Sequence, residues 1–317
     1  MTRIGFLGPP GTFTEEALLT QGDLADGELV PLRSMPDVLA AAQAGEVELG
    51  FVALENSIEG TVNMTLDALI FDTELLIRRE VVLPVSLHLL APAGTGLADV
   101  RSVISIPHAT AQCRSWMTEY LPDAEVLAAN STAEAVRLVG ETRPAGMAAV
   151  GTPHAAKLYG LEVVASDIAD HGDNVTRFVL VARSGVPALT GHDKTSIVCF
   201  QDADRPGSLH AILGQFSARN INLTKLESRP TKQGLGDYCF VIDLEGHVAD
   251  EVVADCLRDL HAQLPAMKFL GSYPAAGEHG PARRRDASAA WRAADDWLAG
   301  VRDQIEVVDD FPGGASQ

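Results

Sequence analysis

Cysteine is scarce in this chain of 317 residues, and the four present, Cys113, Cys199, Cys239 and Cys256, are scattered with no C-x-x-C pair. That spacing argues against a disulfide framework or a cysteine zinc site and leaves buried free thiols as the expected state. The nine histidines are equally dispersed, so no metal is expected. Basic residues are also few: 24 Lys and Arg against 43 Asp and Glu give a formal net charge of −19. A field of that sign disfavours nucleic acid and anionic membranes as partners, and the only basic run is Arg283-Arg284-Arg285. No apolar run reaches the length of a membrane span. Met1-Thr2-Arg3 passes into Ile4-Gly5-Phe6-Leu7 without a basic leader, which makes the cytoplasm the expected location. The negative field would also repel an anionic substrate, so any site for one must be made locally favourable by Arg side chains and helix N-termini.

What is present is enough apolar sequence, 46% of residues, to bury the cores of two or three domains. From Ile4 to about Ala182 short apolar runs alternate with amphipathic stretches, the pattern of an α/β sheet covered by helices. Strands are expected at Ile4 to Leu7, Leu49 to Leu54, Arg79 to Leu90, Val103 to Ile106, Gly146 to Val150 and Phe178 to Ala182. Helices are expected at Glu15 to Thr20, Met35 to Ala44, Leu66 to Phe71, Ala111 to Tyr120 and Thr132 to Gly140. Residues 185–193, with Gly, Pro and Ser and no periodicity, read as a linker after a domain spanning 1–184. Residues 194–274 then follow the order β-α-β-β-α-β of a ferredoxin-like unit. The tail, 275–317, carries Trp291, Ala294, Trp297, Leu298 and Val301 at helical spacing, an apolar stripe suited to docking.

Polar motifs sit at the carboxyl ends of the expected strands, the edge where open α/β sheets bind ligands. Gly8-Pro9-Pro10-Gly11-Thr12-Phe13-Thr14-Glu15 follows the first strand and opens a helix, with Thr12 and Glu15 at capping-box spacing and backbone N–H groups that suit an anion. Its glycines run G-x-x-G-x-x-G, which is not the dinucleotide fingerprint. Glu55, Asn56, Ser57, Glu59 and Thr61 crowd around Gly60, a density of polar groups beyond what a cap requires. Ser131 and Glu134 repeat the capping box before the helix that starts at Thr132. Asp173-Asn174-Val175-Thr176-Arg177-Phe178 is a polar knot that runs into an apolar strand. Alternation along a strand puts Asn174, Thr176 and Phe178 on one side and Arg177 on the other. Thr176 and Arg177 can then share a ligand only across an irregular strand or around its edge, and an ordinary ion pair for Arg177 stays open.

The motifs that begin at Gly8, Glu55 and Asp173, together with Glu227-Ser228-Arg229-Pro230, resemble the prephenate dehydratase family over roughly Arg3 to Tyr273, with the second unit resembling an ACT domain. The resemblance implies two α/β lobes similar to type II periplasmic binding proteins. It implies a reaction without cofactor that turns prephenate into phenylpyruvate for phenylalanine synthesis. Thr176, Arg177, Asn174, Glu55 and Gln112 are the implied catalytic residues, and Gly11, Thr12, Asn56, Ser57, Gly60, Thr61, Ser131, Thr132 and Phe178 the implied substrate contacts. Where the family usually reads Ser-His-Pro-Gln, this chain reads Ser105-Ile106-Pro107-His108, so His108 is either a substitute imidazole or part of a plain turn. In the ACT unit Gly207, Ser208, Leu209, Asn222, Glu227, Ser228, Arg229 and Pro230 are the implied phenylalanine contacts, in a homodimer or homotetramer. Arogenate as the substrate, or a two-lobed binding protein without catalysis, are the alternatives.

Overall fold

The computed structural model describes residues 1–201, 206–232, 234, 237–277, 293–294 and 296–304. The chain divides into two compact units. The first holds Met1–Ala188, Ser196–Val198 and Lys268–Gly277; the second holds Leu189–Thr195, Cys199–Met267 and the described residues beyond 277.

The first unit starts with β1 (Arg3–Leu7), α1 (Phe13–Leu19), α2 (Gly22–Ala25), β2 (Glu28–Leu32), α3 (Met35–Ala44), β3 (Leu49–Asn56), β4 (Gly60–Thr61) and α4 (Asn63–Asp67), the last running into a π turn at Ala68–Asp72. It continues with β5 (Leu76–Pro84), β6 (His88–Ala91), β7 (Ser102–Ser105), α5 (Pro107–Gln112), α6 (Arg114–Tyr120), β8 (Glu125–Ala128), α7 (Thr132–Thr142), β9 (Met147–Gly151), α8 (Pro153–Tyr159), β10 (Glu162–Ala165) and β11 (Val175–Ala182).

These strands form two sheets. One has the order β2-β1-β3-β11-β5, with β4 paired to β3; the other has the order β10-β6-β9-β7-β8. Two α/β lobes result, as implied. The chain crosses between them twice, after β5 and before β11, and the crossings touch where Val85 N–H donates to the Asn174 carbonyl at 2.7 Å. The single strand expected over Arg79 to Leu90 is therefore two strands in different sheets. Pro84, which cannot extend a ladder as donor, ends the first of them.

Helix starts follow their caps. Thr12, Ser34, Ser131 and Thr152 each accept the N–H three residues on. The helix expected over Ala111 to Tyr120 is broken at Cys113 (φ −110°, ψ 13°), with α5 ending before it and α6 starting after it. Phe51 and Phe178 stack at 5.4 Å within the first lobe's core, beside Ile4, Phe6, Leu18 and Val81.

The remaining elements are β12 (Asp193–Phe200), α9 (Ser208–Ala218), β13 (Leu223–Pro230), β14 (Tyr238–Glu245), α10 (Glu251–Gln263) and β15 (Ala266–Pro274), in the βαββαβ order expected and with sheet order β13-β14-β12-β15. Buried Val198, Phe216, Ile242, Val253 and Leu260 supply apolar positions of these strands and helices. Residues 293–294 and 296–302 are helical, with Trp297 and Val301 exposed; Trp291 of the apolar stripe lies outside the described residues, as do Arg205 and Arg283-Arg284-Arg285. Among the described residues no helix is long and apolar enough to cross a membrane.

Candidate active site

The two ends of the Asn174 to Thr176 segment meet the end of β3. Thr176 pairs with Asn56, and Arg177 with Glu55. Residues that face each other across an antiparallel ladder share a sheet face, so Thr176 and Asn56 lie on one side and Arg177 and Glu55 on the other. The ladder to β3 slips between Arg177 and Phe178, where Leu54 is skipped, but the ladder of β11 to β5 runs unbroken from Val175 to Leu180. The irregularity belongs to β3, and β11 keeps its alternation.

On the Thr176 face a chain of side-chain amides connects the lobes. Asn56 Oδ1 accepts the backbone N–H groups of Ile58 at 2.9 Å and Glu59 at 3.0 Å. Its Nδ2 is thereby fixed as the outward donor, and it reaches Thr176 Oγ1 at 2.9 Å and Asn174 Oδ1 at 2.7 Å. Asn174 Nδ2 donates to Gln112 Oε1 of α5 at 3.1 Å, and Gln112 Nε2 donates to Glu59 Oε1 at 3.4 Å. Ser57 Oγ accepts the Val175 N–H at 3.0 Å and tightens the same corner. Asn174 is 3% and Thr176 9% exposed, so every polar atom here needs a partner.

Arg177 is committed elsewhere. Its Nε lies 2.5 Å from Glu80 Oε1, its Nη1 3.6 Å from Glu55, and its Nη2 donates to Tyr273 Oη at 2.9 Å. The Glu80 side chain is 1% exposed. The expected sharing of one ligand by Thr176 and Arg177, and with it the place of Glu55 beside the reacting groups, is corrected by the sheet: both charged residues project from its other face. Phe178 is likewise corrected from substrate contact to core, since it is 1% exposed and stacked on Phe51.

The capping-box loops are closed on themselves. Gly11 N–H donates to Glu15 Oε2 at 2.5 Å and Asn130 N–H to Glu134 Oε2 at 2.9 Å, so in each loop, including the Gly8 to Glu15 loop expected to suit an anion, one N–H group is taken by the chain's own carboxylate. Gly11 (φ +94°) is also covered, because a Cβ there would stand 3.1 Å from Ala155 and 3.3 Å from Tyr159. Gly60 (φ +80°) opens to free space beside Thr61 in the short β4 hairpin. Thr132 is buried at the first turn of α7 behind the cap Ser131.

Sequence reasoning missed one group, His154, and left the place of another, His108, open. His154 Nε2 lies 3.1 Å from Glu15, next to Glu16, whose carboxyl burial holds above the usual range. His108 Nε2 lies 3.8 Å from the Glu59 oxygen that Gln112 also meets. Ile106, at the departure from Ser-His-Pro-Gln, packs against the second lobe's core instead, so His108 is the imidazole that faces the amide chain. Cys113, next to Gln112, is buried and its thiol pushed up to about 12 by burial and Asp170, which leaves no thiolate nucleophile there. Among the described residues no group of three or more His, Cys, Asp or Glu side chains is placed to hold a metal ion.

The prephenate dehydratase family model matches residues 4–185, and the ACT domain model matches residues 195–262. The chain belongs to the prephenate dehydratase family. A prephenate dehydratase of Mycolicibacterium vanbaalenii is 42% identical over 306 residues, covering 92% of this chain and 97% of the relative. The crystal structure of a prephenate dehydratase from Arthrobacter aurescens in complex with L-Phe is 42% identical, with a TM-score of 0.85, and covers 95% of this chain and 100% of that one. A solved structure of GqqA, described as a novel type of quorum quenching acylase, is 30% identical with a TM-score of 0.78, over 86% of this chain and 98% of its own.

In the second unit Gly207 (φ +86°) precedes α9 with nothing within 4 Å of where a Cβ would stand, and Ser208 Oγ donates to Gln201 Oε1 at 3.0 Å. Along β13, Lys225, Glu227 and Arg229 are half-buried and ion-paired, while Leu226, Ser228 and Pro230 are exposed. Glu227 and Arg229 thus face away from Ser228 and Pro230, and one flat face of the strand cannot offer all four to a ligand. The exposed Asn222 precedes β13, and its carbonyl accepts the Glu245 N–H at 2.9 Å, while the side chain of Leu209 is half-buried on α9.

Proposed function

We propose that the cluster around Thr176 is where the first unit converts prephenate to phenylpyruvate, and that phenylalanine bound to the ACT unit restrains that step. The reaction breaks the ring carbon to carboxylate bond, and its electron pair enters the ring as the hydroxyl at the opposite carbon departs. Carbon dioxide and water leave, and solvent supplies the one proton taken up overall. The site must hold an anion, stabilise the departing oxygen and favour the loss of charge from the departing carboxylate.

The observation that carries the assignment is the direction of the Asn56 amide. Two backbone N–H groups fix its oxygen, so its nitrogen donates to Thr176 Oγ1. Thr176 is an acceptor in that bond, which leaves its own O–H to point at a ligand. A hydroxyl is a weak acid, and Thr176 acts as hydrogen-bond donor to the departing oxygen while the proton comes from solvent. Asn174, Gln112, Ser57 and Asn56 hold the corner; Gly60, Thr61, Ser131, Thr132 and the Gly11-Thr12 loop frame it. Arg177 and Glu55 support β11 from behind.

The reading places the catalytic domain at 1–184, a linker at 185–193, the ACT domain at 194–274 and a tail at 275–317. The protein acts in the cytoplasm as a homodimer or homotetramer, with Gly207, Ser208 and Leu209 at the effector.

The test is purified protein mixed with prephenate, with phenylpyruvate followed by absorbance and arogenate run in parallel. Thr176→Ala should lower kcat by roughly 10²-fold, the scale of a positioned proton-transfer or oxyanion group, and Thr176→Ser should keep more of it. A folded Thr176→Ala enzyme with the parent kcat would refute the site.

A further inference from the structure

Glu59 stands at the far end of the amide chain, and nothing in the mechanism so far uses it. It is half exposed on the loop after β3, yet Gln112 and His108, both on α5 of the other lobe, converge on its one oxygen, Oε1. A carboxylate can only accept. An amide, by contrast, turns either edge to a neighbour with nearly equal ease.

We infer that Glu59 is a positioning residue that turns Gln112 and Asn174 in the direction the Asn56 anchor demands, so that the amide chain beside Thr176 keeps its place. The inference rests on the reading of Thr176 given above. With an acceptor at position 59, Gln112 must turn its NH2 to Glu59 and its carbonyl to Asn174. Asn174 then turns its NH2 to Gln112 and its carbonyl to Asn56, and Asn56 donates to Thr176. The other end of the chain is anchored independently, by the N–H groups of Ile58 and Glu59 on Asn56 Oδ1. Both ends impose the same direction, and every amide between them is satisfied. His108 Nε2 stands 3.8 Å from the same oxygen, on the side of α5 that meets the loop of the first lobe.

Direction can be tested separately from packing or charge, because substitutions at one exposed position can offer an acceptor, nothing, or a donor. Glu59→Gln can still present its carbonyl to Gln112. Glu59→Ala lets Gln112 turn freely. Glu59→Lys offers only donors, so Gln112 must give it the carbonyl and set NH2 against NH2 at Asn174, which the Ile58 and Glu59 backbone anchors prevent from turning. The expected kcat losses are about threefold, about tenfold and about 50-fold in that order, the scale of a small misplacement of reacting groups.

Lysine adds positive charge near an anionic substrate, so KM for Glu59→Lys should hold or fall while kcat falls. The measurement is steady-state turnover of prephenate for the three variants and for Thr176→Ala, with thermal melts to confirm folding. Equal kcat for Glu59→Ala and Glu59→Lys, or a loss confined to KM, would overturn the inference. An unimpaired Thr176→Ala would instead show that the site reading beneath it is wrong.

Discussion

Arg177 gives the sharpest separation between a structural and a substrate-binding role. Its guanidinium is 11% exposed, against a Glu80 carboxylate that is 1% exposed, and it spans Glu80, Glu55 and Tyr273 at once. Truncation as Arg177→Met strands the Glu80 charge in the interior with the Ala276 N–H as a remaining donor at 2.8 Å. Breaking a buried pair in this way costs about 3–5 kcal/mol. For a domain of this size each kcal/mol moves Tm by about 2–4 °C, so the fall should be roughly 6–20 °C. Arg177→Lys keeps the charge but cannot reach three partners from one ammonium, and should lose about half as much. The double variant Arg177→Met/Glu80→Leu should recover most of the loss, since it leaves no buried charge and gives up only the acceptor of the Ala276 N–H. The assay is differential scanning fluorimetry on the four proteins, paired with turnover of prephenate at a temperature well below every Tm. Because Arg177 and Thr176 lie on opposite faces of the sheet, KM for Arg177→Lys should stay within about threefold of the parent, below the tenfold that about 1.4 kcal/mol of lost binding represents. A KM raised tenfold or more with an unchanged Tm would show that Arg177 clamps a substrate carboxylate, and the assignment to the rear face would be wrong.

Glu16 is held above its usual pKa by burial, so the folded state binds its proton more tightly than the unfolded chain does. Stability from this group is present below the unfolded value and lost as pH rises through the folded one; Glu16→Gln should therefore raise Tm at pH 8 and have little effect at pH 4, and a Tm gain of the same size at both would refute it. Gly207 has φ +86° and nothing within 4 Å of where a Cβ would stand, so Gly207→Ala adds backbone strain of about 1–2 kcal/mol and no clash. Phenylalanine inhibition should weaken about tenfold with turnover in its absence unchanged, and an unaltered inhibition curve would remove Gly207 from the effector site.

Much of this was legible from local pattern. The Asp173 to Ala182 stretch announced a strand with chemistry at its mouth, and period-two alternation already placed Arg177 opposite Thr176. The capping box at Ser131 located its helix start to the residue, whereas the helix behind the Thr12 box begins at Phe13, two residues before the Glu15 expected. The same glutamates that signal the caps also reach back to a backbone N–H, a bond that the spacing alone did not reveal. Short outer strands were not seen: Glu125–Ala128 and Glu162–Ala165 are largely exposed and lack the apolar alternation that marks a half-buried strand. Helix α8, with Thr152 as its cap and Pro153 at its start, is seven residues long, too brief for periodicity to declare. The amide chain was beyond reach for a different reason. Asn56 and Thr176 are 120 positions apart, and only the sheet, with β11 returning from the other lobe to lie beside β3, puts one against the other.

On the function proposed for the Thr176 corner, that geometry also gives a chain of net charge −19 a way to favour the departure of carbon dioxide from a dianion. The expectation was a locally positive pocket, with Arg177 as its cation. Instead Arg177 is turned to Glu80 and Glu55, and the groups joined around Thr176 are amides and hydroxyls with one carboxylate at the rim. A free cation beside the departing carboxylate would stabilise the charge that the transition state must surrender, lowering KM at the expense of kcat. Neutral dipoles fixed in direction do the opposite. They hold the substrate weakly in its charged ground state, and their alignment costs nothing further when negative charge grows on the departing oxygen. The fixed direction of the Asn56 amide, whose nitrogen donates to Thr176, therefore suits a reaction whose hardest step is the loss of charge from one end of the ring and its appearance at the other.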